Sequence, residues 1–182
     1  MTTFPAFTST LTNGRQLEIK VPEVFDAKSL IDFCNRVGGE TEFLTFGANE
    51  FHISLLAEEN FIADVRVKNQ DVLLMGTVSR TIVSSLSIIR TMDRSRLEHV
   101  GELGISVAKS YWGLGVGRKM CEVALGLAKE RGVTKVNLKV REDNGRAIRL
   151  YEQLGFKQEG LSTRAYRVAG KYFSNVLMGL DL

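Results

Sequence analysis

Little in this sequence suits metal or disulfide chemistry. Its 182 residues include two cysteines, Cys34 and Cys121, and two histidines, His52 and His99. None has a Cys or His partner at ligand spacing, so neither a metal site nor a disulfide framework is expected. Sparse cysteine suits a reducing, cytoplasmic setting, and Cys121, inside a helix-forming run, reads as a buried, inert thiol. No apolar run approaches the roughly 20 residues that span a bilayer, which argues against a membrane segment. Residues 1–15 are polar and lack the apolar core of a signal peptide. Charge of one sign is also scarce: the formal net charge is +3. No basic run alternates with aromatics, so a nucleic-acid partner is not suggested.

What is present is an ordinary globular composition, 44% hydrophobic and 25% charged. The length fits one domain over 1–182, with 1–13 expected as a loosely ordered tail. Leu17, Ile19 and Val21 alternate as in a strand. A helix is expected from Asp26 or Ser29 to Val37, stopped by Gly38-Gly39, and a second from Asn49 or Ser54 to about Lys68. Leu55, Ile62 and Val65 share one face of that second helix. Val72 to Val78 and Thr81 to Ile89 read as an antiparallel pair, followed by a polar loop over 91–96 and a strand from Glu102 to Val107. Val116 to Glu130 carries a helical stripe of Met120, Val123, Ala124, Leu127 and Ala128. Val133 to Val140, Phe156 to Gly160 and Tyr172 to Leu180 read as strands, with a short helix from Asn144 to Leu154. Ser162 to Lys171 is expected as a basic loop. This order implies an α/β chain with one mixed sheet and helices on both faces. The strand after the crossover helix should run parallel to the one before it.

The most informative stretch is Trp112-Gly113-Leu114-Gly115-Val116-Gly117-Arg118-Lys119. It lies between a predicted strand and a predicted helix. Glycines at alternate positions let backbone N–H groups approach an anion at the positive end of the helix, which points to phosphate. A P-loop fails, because Lys119 is followed by Met120 rather than Ser or Thr. A dinucleotide fingerprint fails in both registers, its third glycine position falling on Arg118 or Met120.

The loop instead resembles the Q/R-x-x-G-x-G/A pyrophosphate loop of the GNAT superfamily of N-acetyltransferases, bacterial type. Gly115 and Gly117 fill the small positions, and Trp112 departs from the usual Gln or Arg. Downstream, Asn144, Ala147, Tyr151, Gly155 and Phe156 match the family's N-x-x-A-x-x-x-Y-x-x-x-G-F signature. The resemblance covers about 98–182. It implies a GNAT fold: a single mixed, mostly antiparallel sheet with a splay between two central parallel strands.

It also implies acetyl-CoA as acetyl donor, without a metal. The N–H groups of Leu114, Gly115, Val116, Gly117, Arg118 and Lys119 would surround its diphosphate, and the backbone of Ile105 and Val107 would pair with its pantetheine arm. Asn144 and Ala147 would lie along that arm. Tyr151 would be the general acid, since a phenol with a pKa of about 10 can donate a proton at neutral pH. Glu102 is the expected general base, with Glu98 and His99 as fallbacks. The acceptor would be an amine, on a small molecule or a peptide, and family habit implies a homodimer. A CoA-binding sensor without catalysis is the alternative reading. The acceptor's walls are expected from 26–54 and from the basic loop over 162–171.

Overall fold

The strand Val72–Val78 is buried at every position, and its alternate side chains serve two different layers. Val72, Leu74 and Val78 join one apolar cluster, while Leu73 and Met75 join another on the opposite face. This is what a central strand covered by helices on both sides requires. The computed structural model describes residues 6–68, 70–90 and 95–182. Among these the strands are β1 (Phe7–Thr10), β2 (Gln16–Lys20), β3 (Val72–Val78), β4 (Thr81–Arg90), β5 (Val100–Val107), β6 (Lys135–Arg141), β7 (Lys157–Val168) and β8 (Lys171–Asp181). The helices are α1 (Ala27–Gly38), α2 (Leu55–Lys68), α3 (Val116–Glu130) and α4 (Gly145–Gln153). The strands form one sheet in the order β1-β2-β3-β4-β5-β6-β8-β7. The β5–β6 pair is parallel and the other pairs are antiparallel.

Helix α3 packs on β3, β4 and β5 through Met120, Cys121, Ala124 and Ala128. Three of these are small, which lets the helix approach closely. The expected Val123 and Leu127 sit at the margin of this stripe, partly buried. Helices α1 and α2 cover the other face through Ala27, Leu30, Ile62 and Val65. The predicted Leu55 is exposed, and the buried position one turn further on is Glu58.

Two expectations need correction. The segment expected as a loose tail carries β1, whose Phe7 to Thr10 pair with β2, and Leu11 is buried in the main cluster; residues 1–5 lie outside the described residues. Four residues without alternation gave no strand signal. The expected basic loop over 162–171 is mostly a long hairpin: β7 runs on to Val168, turns at Ala169 and Gly170, and returns as β8. Its pattern was hidden because β7 is exposed along nearly its whole length and has register shifts between Gln158/Gly160 and Ser162/Tyr166. Of the expected loop over 91–96, residues 91–94 lie outside the described residues.

Candidate active site

Parallel pairing of β5 with β6 runs only from Val100↔Lys135 to Glu102↔Asn137. Beyond that point β5 continues to Val107 and β6 to Arg141, each still paired on its outer side. The two central strands therefore splay, and a cleft of about 850 Å³ opens where they part. Ser106 turns its carbonyl toward β4, where the Ser84 hydroxyl donates to it at 2.8 Å. Strand alternation then directs the backbone groups of Ile105 and Val107 into the cleft. Those are the two positions expected to offer an unpaired edge. Their neighbour Leu103 is buried, and all three line the cleft.

The glycine loop closes one end. Gly115 is the N-cap of α3 at φ 91°, and Gly113 has φ 76°. Both take a left-handed conformation that costs other residues roughly 1–2 kcal/mol. A Cβ at either position would meet no atom within 4 Å, so the absent side chains leave open space beside the helix end. The first amides of α3 have no intrahelical acceptor and face that end. Gly117 is small for a different reason: a Cβ there would lie 3.2 Å from Leu150 of α4. Gly113, Gly115, Val116, Gly117 and Arg118 line the cleft. Lys119 is placed otherwise. Its N–H donates to the Gly115 carbonyl at 3.1 Å, and its ammonium pairs with Glu122 at 2.9 Å. Leu114 is not part of the lining, and its carbonyl accepts from Thr12 N–H at 3.3 Å.

Trp112 has its own use. Its indole N–H donates to the Val107 carbonyl at 2.8 Å, tying the loop to the end of β5, and the Arg146 guanidinium lies 4.0 Å from its ring centroid. An aromatic donor thus braces the loop from within.

Tyr151 projects from α4 into the cleft lining and is 7% exposed, its ring edge-on to Phe156 at 5.7 Å. Burial, and secondarily Cys121, pushes its phenol further up, so it carries its proton at neutral pH. Asn144 caps α4 by accepting from the Ala147 N–H at 3.3 Å, and both residues line the cleft. Glu102 also lines it, with its carboxylate 3.1 Å from the Lys139 ammonium. Glu98 and His99 are exposed and lie outside the lining.

Sequence reasoning missed two groups here. Arg141, at the end of β6, is 4% exposed along its side chain. Its Nε and Nη2 donate to Asp143 at 2.6 and 3.0 Å, its Nη1 donates to the Glu42 carbonyl at 2.8 Å, and its plane lies between Phe43 and Phe173. It fastens the segment between α1 and α2 onto the cleft. Glu58 of α2 is 6% exposed and lines the cleft. Its spacing of four from Ile62 and seven from Val65 puts a carboxylate on an apolar stripe, a signal present in the sequence. Among the described residues no cluster of His, Cys, Asp and Glu is gathered to hold a metal ion, and no helix is long and apolar enough to cross a membrane.

A splayed parallel pair, a glycine-capped helix at its mouth and a buried tyrosine opposite form the setting for the comparisons with known proteins. The family model described as Acetyltransferase (GNAT) family matches residues 29–156. The chain belongs to the GNAT acetyltransferase family. Its GNAT fold extends over the whole sheet. A GNAT acetyltransferase from Streptococcus pneumoniae superposes with a TM-score of 0.87 at 29% identity, covering 91% of this chain and 99% of that one. The acetyltransferase yncA from Salmonella typhimurium, solved with acetyl-CoA, superposes at 0.79 with 16% identity, covering 91% and 94%. In sequence, the chain is 44% identical over 66 residues to the N-alpha-acetyltransferase RimI of Mycobacterium tuberculosis, 36% of this chain and 40% of that protein. It is 30% identical over 86 residues to the [Ribosomal protein bS18]-alanine N-acetyltransferase of Salmonella typhimurium, 47% of this chain and 58% of that protein. The matches therefore span about half the length of these curated relatives.

Proposed function

We propose that this GNAT protein transfers an acetyl group from acetyl-CoA to a primary amine. The observation that carries the reading is the cleft between β5 and β6, with unpaired strand edge on one side and the bare N-terminus of α3 at its mouth. The fit to the donor is supported by the glycines. At Gly113 and Gly115 a Cβ would occupy the open space that a diphosphate needs. The amides of Leu114, Gly115, Val116, Gly117 and Arg118 would hold that diphosphate, whereas the Lys119 amide is already engaged within the helix. The backbone of Ile105 and the N–H of Val107, whose carbonyl is taken by Trp112, would pair with the pantetheine arm, with Asn144 and Ala147 alongside.

Acetyl-CoA supplies an activated acetyl thioester when bound. Glu102 takes a proton from the amine, and Tyr151 supplies one to the departing sulfur. Burial keeps that phenol protonated, as a donor must be. The apolar walls limit water at the thioester and so favour transfer over hydrolysis. The curated relatives bear names of N-terminal protein acetylation, and that supports an amine acceptor without fixing its size.

Two measurements test this reading. Calorimetric titration with acetyl-CoA should give saturable one-to-one binding, and its absence refutes the cleft assignment. A thiol-release screen over small amines and short peptides should then find an acceptor. Tight donor binding with no acceptor in either class would favour a CoA sensor.

A further inference from the structure

One part of the cleft is a chamber between α1, α2 and the segment joining them. Its wall is apolar and largely aromatic, with Leu30, Phe46, Phe51, Phe61 and Leu73 in the lining. Phe46 and Phe51 pack against each other at 5.1 Å. Into this wall α2 places Glu58, 6% exposed. Among the described residues no hydrogen bond or ion pair reaches its carboxylate. Two cations of the lining are otherwise engaged, Lys139 by Glu102 and Arg141 by Asp143.

A carboxylate set in an apolar wall without a partner is costly and adds nothing to the fold. What would match it is a ligand that donates hydrogen bonds and carries positive charge.

We propose that Glu58 is the anion that draws the acceptor into the cleft as its ammonium, before that nitrogen gives up a proton to Glu102, and that the acceptor is a small primary amine on an apolar, ring-sized body. This deepens the acetyltransferase reading by naming its substrate class. The entering ammonium meets the carboxylate, and the apolar body meets the phenylalanines. A polyamine would leave further charges against aromatic rings with no anion to meet them. Burial raises the Glu58 carboxyl above the usual carboxylate range in the free protein, as expected of a site that awaits a cation.

The test uses phenethylammonium as probe and its neutral analogue phenethyl alcohol as control. Calorimetry is run on the free protein and on its CoA complex. The ammonium should bind the wild-type chain at least tenfold more tightly than the alcohol. Glu58→Gln should erase that preference, raise the KM for phenethylamine at least tenfold and leave acetyl-CoA affinity within twofold. Its thermal midpoint should hold or rise, because a lone buried charge has been removed. Glu58→Asp should fall between. Equal binding of ammonium and alcohol by the wild-type protein overturns the proposal without any variant. So does an unchanged amine KM in Glu58→Gln, or turnover of short peptides with phenethylamine refused. Failure of acetyl-CoA to bind would instead refute the acetyltransferase reading, while the amine titration on the free protein still reports on Glu58.

Discussion

Arg141→Lys should loosen the acceptor wall while sparing the donor end. Arginine at this position makes three short hydrogen bonds, two to Asp143 and one to the Glu42 carbonyl, and the rings of Phe43 and Phe173 lie 4.5 and 4.3 Å from its guanidinium carbon. Lysine keeps the charge but has no planar fork and no flat face to stack. Breaking a buried charge pair typically costs about 3–5 kcal/mol. Here the Asp143 side chain is 41% exposed and can regain water, and lysine retains one bond, so the cost falls to about 2 kcal/mol. For a chain of this length that corresponds to roughly 4–8 °C in the thermal midpoint. Because the Glu42 carbonyl belongs to the segment joining α1 and α2, the KM for the amine should rise more than that for acetyl-CoA. Differential scanning fluorimetry and two-substrate kinetics check both statements. A midpoint shifted by less than about 1 °C, with both KM values unchanged, would refute the fastening role assigned to Arg141.

Tyr151→Phe should lower kcat by roughly 10²-fold or more while acetyl-CoA affinity stays within about twofold, because the ring contact with Phe156 is kept and only the proton donor is lost. Full turnover in that variant would remove Tyr151 as the acid. Gly115→Ala should cost about 1–2 kcal/mol of stability from its left-handed backbone alone, since no protein atom lies near the new Cβ, and should weaken acetyl-CoA roughly tenfold in calorimetry. Burial holds the thiols of Cys34 and Cys121 at about 12, against an ordinary value of 9.0. Above pH 9 the unfolded chain releases these protons and the native chain retains them, so stability falls as pH rises through the window from 9 to 12. By pH 10.5 each thiol should cost about 2 kcal/mol, read as a falling urea midpoint, and Cys34→Ala should reduce that slope.

The donor half of the cleft was legible in the sequence because it is built locally. Gly113, Gly115 and Gly117 sit within one turn and helix start, and Asn144, Ala147 and Tyr151 within one short helix, so each set is contiguous enough to match a family signature. The parallel run of β5 and β6 followed from the crossover helix between them, and their splay was implied by the GNAT resemblance. The acceptor half was not legible, because its parts come from distant segments and from residue types that usually mean something else. Glu58 reads as one of many helix-surface carboxylates unless its register with Ile62 and Val65 is weighed. Arg141 reads as the solvated end of a strand, and its burial depends on Phe43 and Phe173, far away on either side in sequence. Strand β7 was read only as far as Gly160, because beyond it both faces are exposed and the register shifts, so no period-two pattern survives.

The distribution of unpaired charge along the cleft sorts the two substrates. At the glycine-loop end Arg118, Arg146 and Arg149 line the wall, and among the described residues none forms an ion pair; Arg118 bonds the neutral Gln153, and Arg146 rests on Trp112. In the middle, Lys139 with Glu102 and Arg141 with Asp143 cancel locally. In the phenylalanine chamber the unpaired charge is Glu58. A cleft charged this way draws a polyanion to one end and a cation to the other before any contact is made. The same asymmetry works against reversed binding, because a diphosphate in the phenylalanine chamber would face Glu58 without a single amide donor from α3. On the proposed reading, charge decides which substrate goes where, and the splay decides where they meet, beside the proposed acid Tyr151 and base Glu102.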